Sequence, residues 1–294
     1  MNVIPEVTAA GPVTWPSGYR AAVCLSFDVD AESPVLAFGS ENSSRVSLMS
    51  HQAYGPLCGL PRLLSVLKRR QVRATFFVPG FTALRYPTAV AEIVAAGHEV
   101  AHHGFMHEGV HGVSEAVERS YLERGLDALL RTTGQQPVGY RAPDWELNFR
   151  SPGLLADYGF HYESSLFDAD VPYELKAGGG RSVVELPVSW ALEDGGQYGF
   201  VPVLAPAGRI ENPLTVFEMW AHELDAIRDA QACAVLTMHP FLSGRPGRAV
   251  IVERLIRRLQ DQGDVWIATC AEVAAHVRTL GLAPRAITQA VAGA

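Results

Sequence analysis

His103 and His107 form a His-x-x-x-His pair within Ala101-His102-His103-Gly104-Phe105-Met106-His107-Glu108. On a helical turn, residues four apart lie on one face, one above the other. Two imidazoles so placed can hold one transition-metal ion, given a third ligand from elsewhere. Candidates for that ligand lie far upstream, in Leu25-Ser26-Phe27-Asp28-Val29-Asp30-Ala31-Glu32, where two aspartates follow an apolar run. Neither motif means much alone. His-x-x-x-His also arises from structural histidines, and Asp-x-Asp from a solvated turn. What matters is where each falls relative to the elements that would position it.

Those elements alternate. Ala21–Phe27 reads as a buried strand that ends on Asp28. Residues 31–55 are polar and serine-rich and read as a long functional loop. A helix opened by Pro61 and ending on Lys68-Arg69-Arg70 leads to the strand Ala74–Val78, stopped by Pro79-Gly80. The helix Pro87–Ala96 is closed by Gly97, the strand Glu99–His102 follows, and the His pair comes directly after it. Ser114–Thr133 reads as a helix with Ser114 as its cap and Gly134 beyond its end. The strand Val138–Arg141, a helix over 152–158, a strand over 183–187 and a helix over 213–230 continue the pattern. Ala234–Met238 then ends on His239, before the helix Ala249–Gln262, the strand Val265–Ala268 and the helix Ala271–Leu280. Residues 167–212 break the rhythm, with Gly178-Gly179-Gly180 and Gly195-Gly196 suggesting a flexible excursion over a pocket. This alternation implies an α/β fold: one domain over 1–294, a closed or partly closed (β/α) barrel of seven or eight parallel strands. An irregular arm covers 1–18 and a peripheral tail 281–294. A doubly wound sheet is the second choice, and no GxGxxG supports dinucleotide binding.

Composition narrows the class. Of 294 residues, 48% are hydrophobic and 19% charged, as in an ordinary globular chain. A net charge of −7 without basic runs argues against nucleic acid as a partner. No apolar stretch approaches the ~20 residues that span a bilayer, and the N-terminus lacks the pattern of a signal peptide. The expectation is a cytoplasmic protein with no membrane partner. Cys24, Cys58, Cys233 and Cys270 form no CxxC, and Cys24 and Cys233, in or beside apolar runs, read as buried reduced thiols. Asp28 and Asp30, His103 and His107, Arg141 and Trp145, and His239 all follow apolar runs. In β/α barrels the strand C-termini build the active site.

The set Ser26-Phe27-Asp28-Val29-Asp30, His103-Gly104-Phe105-Met106-His107, Arg141-Ala142-Pro143 and Leu236-Thr237-Met238-His239 resembles the polysaccharide deacetylases with a NodB-homology domain, carbohydrate esterase family four. The motifs span residues 21 to 276. More closely, Asp-x-Asp-Ala-Glu, His-Gly-x-x-His-Glu and Met-His-Pro look like the branch containing peptidoglycan-deacetylase-like proteins, cyclic imide hydrolases and an allantoinase. The resemblance implies a distorted barrel of the NodB type. It implies a divalent ion, zinc first and cobalt, manganese or nickel otherwise, on Asp30, His103 and His107. It implies Asp28 as general base, Arg141 holding the base, and His239 as general acid. Three protein ligands leave a position for water or the substrate carbonyl. Two departures stand out. Val29 separates aspartates that are adjacent in the family, which leaves open which is base and which is ligand. Asp144 stands where the family has an aromatic residue, with Trp145 next.

Glu32 and Glu108 are candidate partners of the site, with solvated carboxylates as the alternative. Trp145, Trp190, Tyr198 and Phe200 are candidates to line the pocket, with the core as the alternative. His102 should point away from His103 in an extended segment. The expected activity is metal-dependent hydrolysis of a non-peptide carbon–nitrogen bond. The substrate is a small cyclic imide, amide or ureide, or alternatively an N-acetylated sugar of a peptidoglycan or chitin-like oligosaccharide. A non-catalytic carbohydrate-binding protein is the third reading. Loops 31–55 and 190–206, with a homo-oligomeric partner copy, are expected to close the site.

Overall fold

The structure, a computed structural model, describes residues 9–201 and 207–289. Nine strands form one curled sheet among these residues: β1 (Ala21–Asp28), β2 (Thr75–Val78), β3 (Glu99–His102), β4 (Gly139–Tyr140), β5 (Tyr162–Glu163), β6 (Tyr173–Gly178), β7 (Arg181–Glu185), β8 (Cys233–Met238) and β9 (Val265–Ala268). The order is β6-β7-β5-β4-β3-β2-β1-β8, with β9 also pairing to β1. The ladder stays open between its ends, giving a half-barrel with helices outside.

All pairings are parallel except β6 with β7, which is antiparallel. That exception corrects the all-parallel expectation. Gly178, Gly179 and Gly180, all at positive φ (78°, 58° and 75°), turn this hairpin. They supply left-handed backbone that other residues adopt at a cost, so this glycine run is a β-turn and not a lid.

Alternation along β1 sets the inside of the barrel. Val23, Leu25 and Phe27 pack outward against helices with Phe76, Val78, Leu236 and Met238. Ala22 and Cys24 face the other layer with Phe77, Ala101 and Tyr162. By the same two-residue period, Ser26 and Asp28 point inward at the C-terminal end. Small residues fit the narrow interior, and the carboxylate arrives at its mouth.

The helices follow their capping chemistry. Ser114 Oγ accepts from Val117 N, and Gly134 ends Glu115–Thr133 at φ 72°. Thr269 and Glu272 form a capping box on Cys270–Thr279. Among the described residues no helix is long and apolar enough to cross a membrane.

The stretch 31–55 is not a loop. It forms the helices Ser33–Phe38 and Val46–Tyr54, joined by a 3-10 turn at Ser40–Ser44. Buried Val35, Leu48, Asn42 and Gln52 anchor them, too few apolar positions to show as a period in a serine-rich sequence. The helix Gly80–Arg85 was also hidden, behind the turn signal Pro79-Gly80. The tail is less peripheral than its composition suggests. Arg285 bridges Leu175 as an added parallel segment and pairs with Asp168, while residues 290–294 lie outside the described residues. In the N-terminal arm, Trp15 Nε1 donates to the Gln231 carbonyl at 2.8 Å; residues 1–8 lie outside the described residues.

Candidate metal and catalytic site

Four strand ends meet at one cavity. Asp28 closes β1, His103 follows β3, Arg141 follows β4 and His239 follows β8. The cavity measures about 150 Å³ and is lined by Asp28, His103, His107, Asp144, Trp145, Trp190, Glu193, Thr237 and His239.

The histidine pair reaches it by a different route from the one its spacing implied. Residues 103–110 are irregular, not helical, and His107 has φ 58°. Their rings stand nearly perpendicular, at 83° with centroids 4.9 Å apart. A left-handed residue is what folds the segment back on itself, and two supports hold it there. Glu108 accepts from the amides of Phe105 (3.0 Å) and Met106 (2.7 Å). His102 turns outward, takes the Gly104 N–H on Nδ1 at 3.1 Å and lies 3.1 Å from the Leu122 carbonyl through Nε2. Burial drives the His102 imidazole down to about 3, so it stays neutral.

Asp30, His103 and His107 bring three ligand atoms within 4.8 Å of one another. His103 Nδ1 lies 2.9 Å from the Arg141 carbonyl, which fixes the tautomer and frees Nε2. That Nε2 is 3.5 Å from Asp30 Oδ1, and His107 Nε2 is 3.9 Å from Asp30 Oδ2. Asp30 Oδ1 is buried without a hydrogen-bond partner. An orphaned buried carboxylate oxygen beside two oriented imidazoles is the donor set of a divalent cation such as zinc. The residues fit the metal that the sequence implied.

Asp28 is anchored differently. Its Oδ1 accepts from Arg141 Nη1 at 2.6 Å, while Oδ2 lies 3.8 Å from His103 Nε2. Arg141 is fully buried and also donates to Ser26 Oγ (3.0 Å), the Ser164 carbonyl (3.2 Å) and Ser164 Oγ (3.2 Å). Its guanidinium lies 3.9 Å over the Phe77 ring. Burial pushes the Asp28 carboxyl up, but the Arg141 charge, with His103 and His239, outweighs it and holds Asp28 below the usual range.

His239 carries a partner that the sequence reading missed. Its Nδ1 is 2.7 Å from Asp194 Oδ1, and its backbone N–H donates to Asp194 Oδ2 at 2.9 Å. Ser243 Oγ donates to the same Oδ2 at 2.5 Å. Burial pushes the His239 imidazole down, yet Asp194, with lesser help from Asp30 and Glu193, raises it well above its ordinary value. Nε2 is left facing the cavity, 3.5 Å from Asp30 Oδ2. Asp194 and Glu193 sit in the glycine-rich stretch after β7, where nothing in the sequence marks a carboxylate as buried. The isolated bridge Glu193–Thr237 brings that stretch to β8.

The other candidates divide. Trp145 and Trp190 line the cavity and pack at 4.7 Å, with Phe167 beside both. Glu32 accepts from Arg85 and Tyr86 away from the lining. Glu108 braces the histidine segment from behind. Tyr198 is buried under Arg248. Phe200 borders a separate cavity of about 540 Å³, with Val201 and the segment Arg45–Leu48. The helix Val46–Tyr54 borders that second cavity, no residue of 33–54 lines the catalytic one, and residues 202–206 of the expected lid lie outside the described residues.

A family model described as polysaccharide deacetylase matches residues 46–162. A solved structure from Mycobacterium smegmatis, assigned to the polysaccharide deacetylases, is 52% identical, with a TM-score of 0.95 over 97% of this chain and 100% of that one. The peptidoglycan deacetylase of Helicobacter pylori is 28% identical over 278 residues, covering 86% of this chain and 94% of its own. An allantoinase shares the fold at a TM-score of 0.78 and 21% identity, over 90% of this chain and 92% of that one. With the aspartate, histidine and arginine motifs brought to one cavity of a NodB-type half-barrel, this chain belongs to the polysaccharide deacetylase family of carbon–nitrogen hydrolases.

Proposed function

We propose that the chain, acting as one catalytic domain, hydrolyses the carbon–nitrogen bond of a small cyclic imide, amide or ureide. Asp30, His103 and His107 would hold a divalent ion, zinc as first choice. Such an ion, when bound, polarises the amide carbonyl and makes water more acidic. Asp28 takes a proton through Oδ2, because Arg141 occupies Oδ1. His239 gives a proton to the departing nitrogen through Nε2, because Asp194 engages Nδ1. Trp145 and Trp190 limit access of water and bulk.

The observation that carries the size assignment is the cavity itself: about 150 Å³, lined by Asp28, His103, His107 and His239 together with the two tryptophans. A five- or six-membered ring suits that space. The second reading, removal of an acetyl group from an N-acetylated sugar, is favoured by the similarity to the Helicobacter pylori peptidoglycan deacetylase. Trp190 and Phe167, 62% and 42% exposed at the rim, offer faces on which a sugar could stack. Side-by-side assays of the zinc-loaded protein on succinimide, allantoin and chito-oligosaccharides test the choice. Turnover of a ring supports the first reading. Efficient deacetylation of oligosaccharides without turnover of any cyclic amide overturns it.

A further inference from the structure

Two carboxylates on the wall of the catalytic cavity serve as neither metal ligand, base nor acid in the chemistry above. Asp144 and Glu193 both line it, and neither lysine nor arginine is among the lining residues. Glu193 is fixed by the amides of Gly195 (2.6 Å) and Gly196 (2.7 Å). Asp144 is held only through its backbone. It sits at φ 56°, ψ 13°, and Trp145 after it also has φ 56°. Two successive left-handed residues, neither of them glycine, form a strained turn. The turn is pinned by Ala142 N donating to Ser165 Oγ (2.9 Å) and Trp145 N to the Ala142 carbonyl (3.1 Å). It presents the Trp145 ring and the Asp144 carboxylate to the same cavity. Asp144 is exposed, and among the described residues its side chain has no hydrogen-bond or ion-pair partner.

We propose that Asp144 is a specificity-determining residue, which selects uncharged substrates bearing an N–H or O–H donor beside the scissile bond and rejects those carrying a further anionic group. The proposal rests on the reading of the site as a hydrolase of small amides and imides. The backbone requirement at position 144 is met as well by asparagine or glycine, so the negative charge is what remains to be explained. A carboxylate accepts a ring N–H in a charge-assisted hydrogen bond, stronger than a neutral one. A carboxylate on the substrate would instead face Asp144, which has no cationic partner among the described residues, whereas Glu193 lies 3.5 Å from His239 Nδ1.

The test compares hydantoin with hydantoin-5-acetate, the same ring without and with a carboxylate. Zinc-loaded wild type, Asp144→Asn and Asp144→Gly are measured for kcat/KM and, by calorimetry, for binding of each ring. Wild type prefers hydantoin, and both variants shrink that preference by roughly tenfold through weaker hydantoin and stronger hydantoin-5-acetate binding. A preference and affinities unchanged within about twofold, a factor worth under half a kcal/mol, overturn the proposal and leave Asp144 a backbone device. If neither ring is turned over but N-acetylglucosamine is, the small-ring reading fails. The charge rule is then decided by the same ratio for N-acetylglucosamine against N-acetylmuramic acid.

Discussion

Gly125→Ala sets two physical effects against each other. Gly125 lies inside the helix Glu115–Thr133, where replacement of glycine by alanine ordinarily gains about 1 kcal/mol. Here a Cβ would fall 2.2 Å from His102 Nε2 and 2.8 Å from the Gly104 carbonyl. The His102 ring cannot retreat: it is fully buried between Tyr140 and Phe160 and bonded to the Gly104 amide and the Leu122 carbonyl. Overpacking costs about 1–3 kcal/mol, and a broken buried hydrogen bond about 1–3 kcal/mol more. Net of the helix gain, we expect about 1–5 kcal/mol of destabilisation, which lowers Tm by roughly 2–8 °C in a chain of this size. Because the Gly104 amide starts the segment that ends on His107, zinc affinity should fall as well. Scanning calorimetry on chelator-treated protein measures the first effect and zinc titration the second. A Tm equal to or above wild type would refute the reasoning. A lower Tm with unchanged zinc affinity would confine His102 to the fold.

His103→Ala should abolish stoichiometric zinc binding and most activity, measured by elemental analysis after supplementation. Asp28→Asn should retain the metal but lose roughly 10²–10⁴-fold in kcat; loss of metal in Asp28→Asn and retention in Asp30→Asn would mean that the two aspartates exchange roles. Asp194→Asn, which keeps the shape but not the charge beside His239, should lower kcat more than it raises KM. Glu163 gives a pH signature in stability. Burial raises its pKa to about 8, against the opposing pull of the Ser165 hydroxyl and the Arg141 charge. The unfolded carboxyl loses its proton near pH 4.3 while the folded one keeps it to about 8, so this group erodes stability as pH rises across that window. Glu163→Gln should remove the slope and gain up to about 5 kcal/mol relative to wild type between pH 5 and 8, read by urea denaturation at each pH.

Much of the framework was legible in the chain. The apolar runs of β1 and β8 stand out because both faces of these parallel strands are buried, and the polar residues at their ends, Asp28 and His239, mark the barrel mouth. Ser114, Gly134 and Pro213 marked helix ends because capping is local chemistry. His103, His107 and the Asp28–Asp30 pair stood out by residue type and position after a strand, while the choice of Asp30 as the third ligand came from the family resemblance.

What escaped depended on contacts distant in sequence. His103 and His107 have helical spacing but lie on a left-handed turn, braced by Glu108 and by His102 wedged against Gly125. Asp194 is bound to His239 across 45 positions, and the bridge of its neighbour Glu193 onto β8 brings it there. Glu32 looked like a site carboxylate from its place after Asp30, yet Arg85 and Tyr86, 53 and 54 residues on, draw it away. Residue type and local period fix which groups are available and which strand delivers them. Only the closure of the sheet decides which carboxylate meets which imidazole, because that pairing is set by burial and distance in three dimensions.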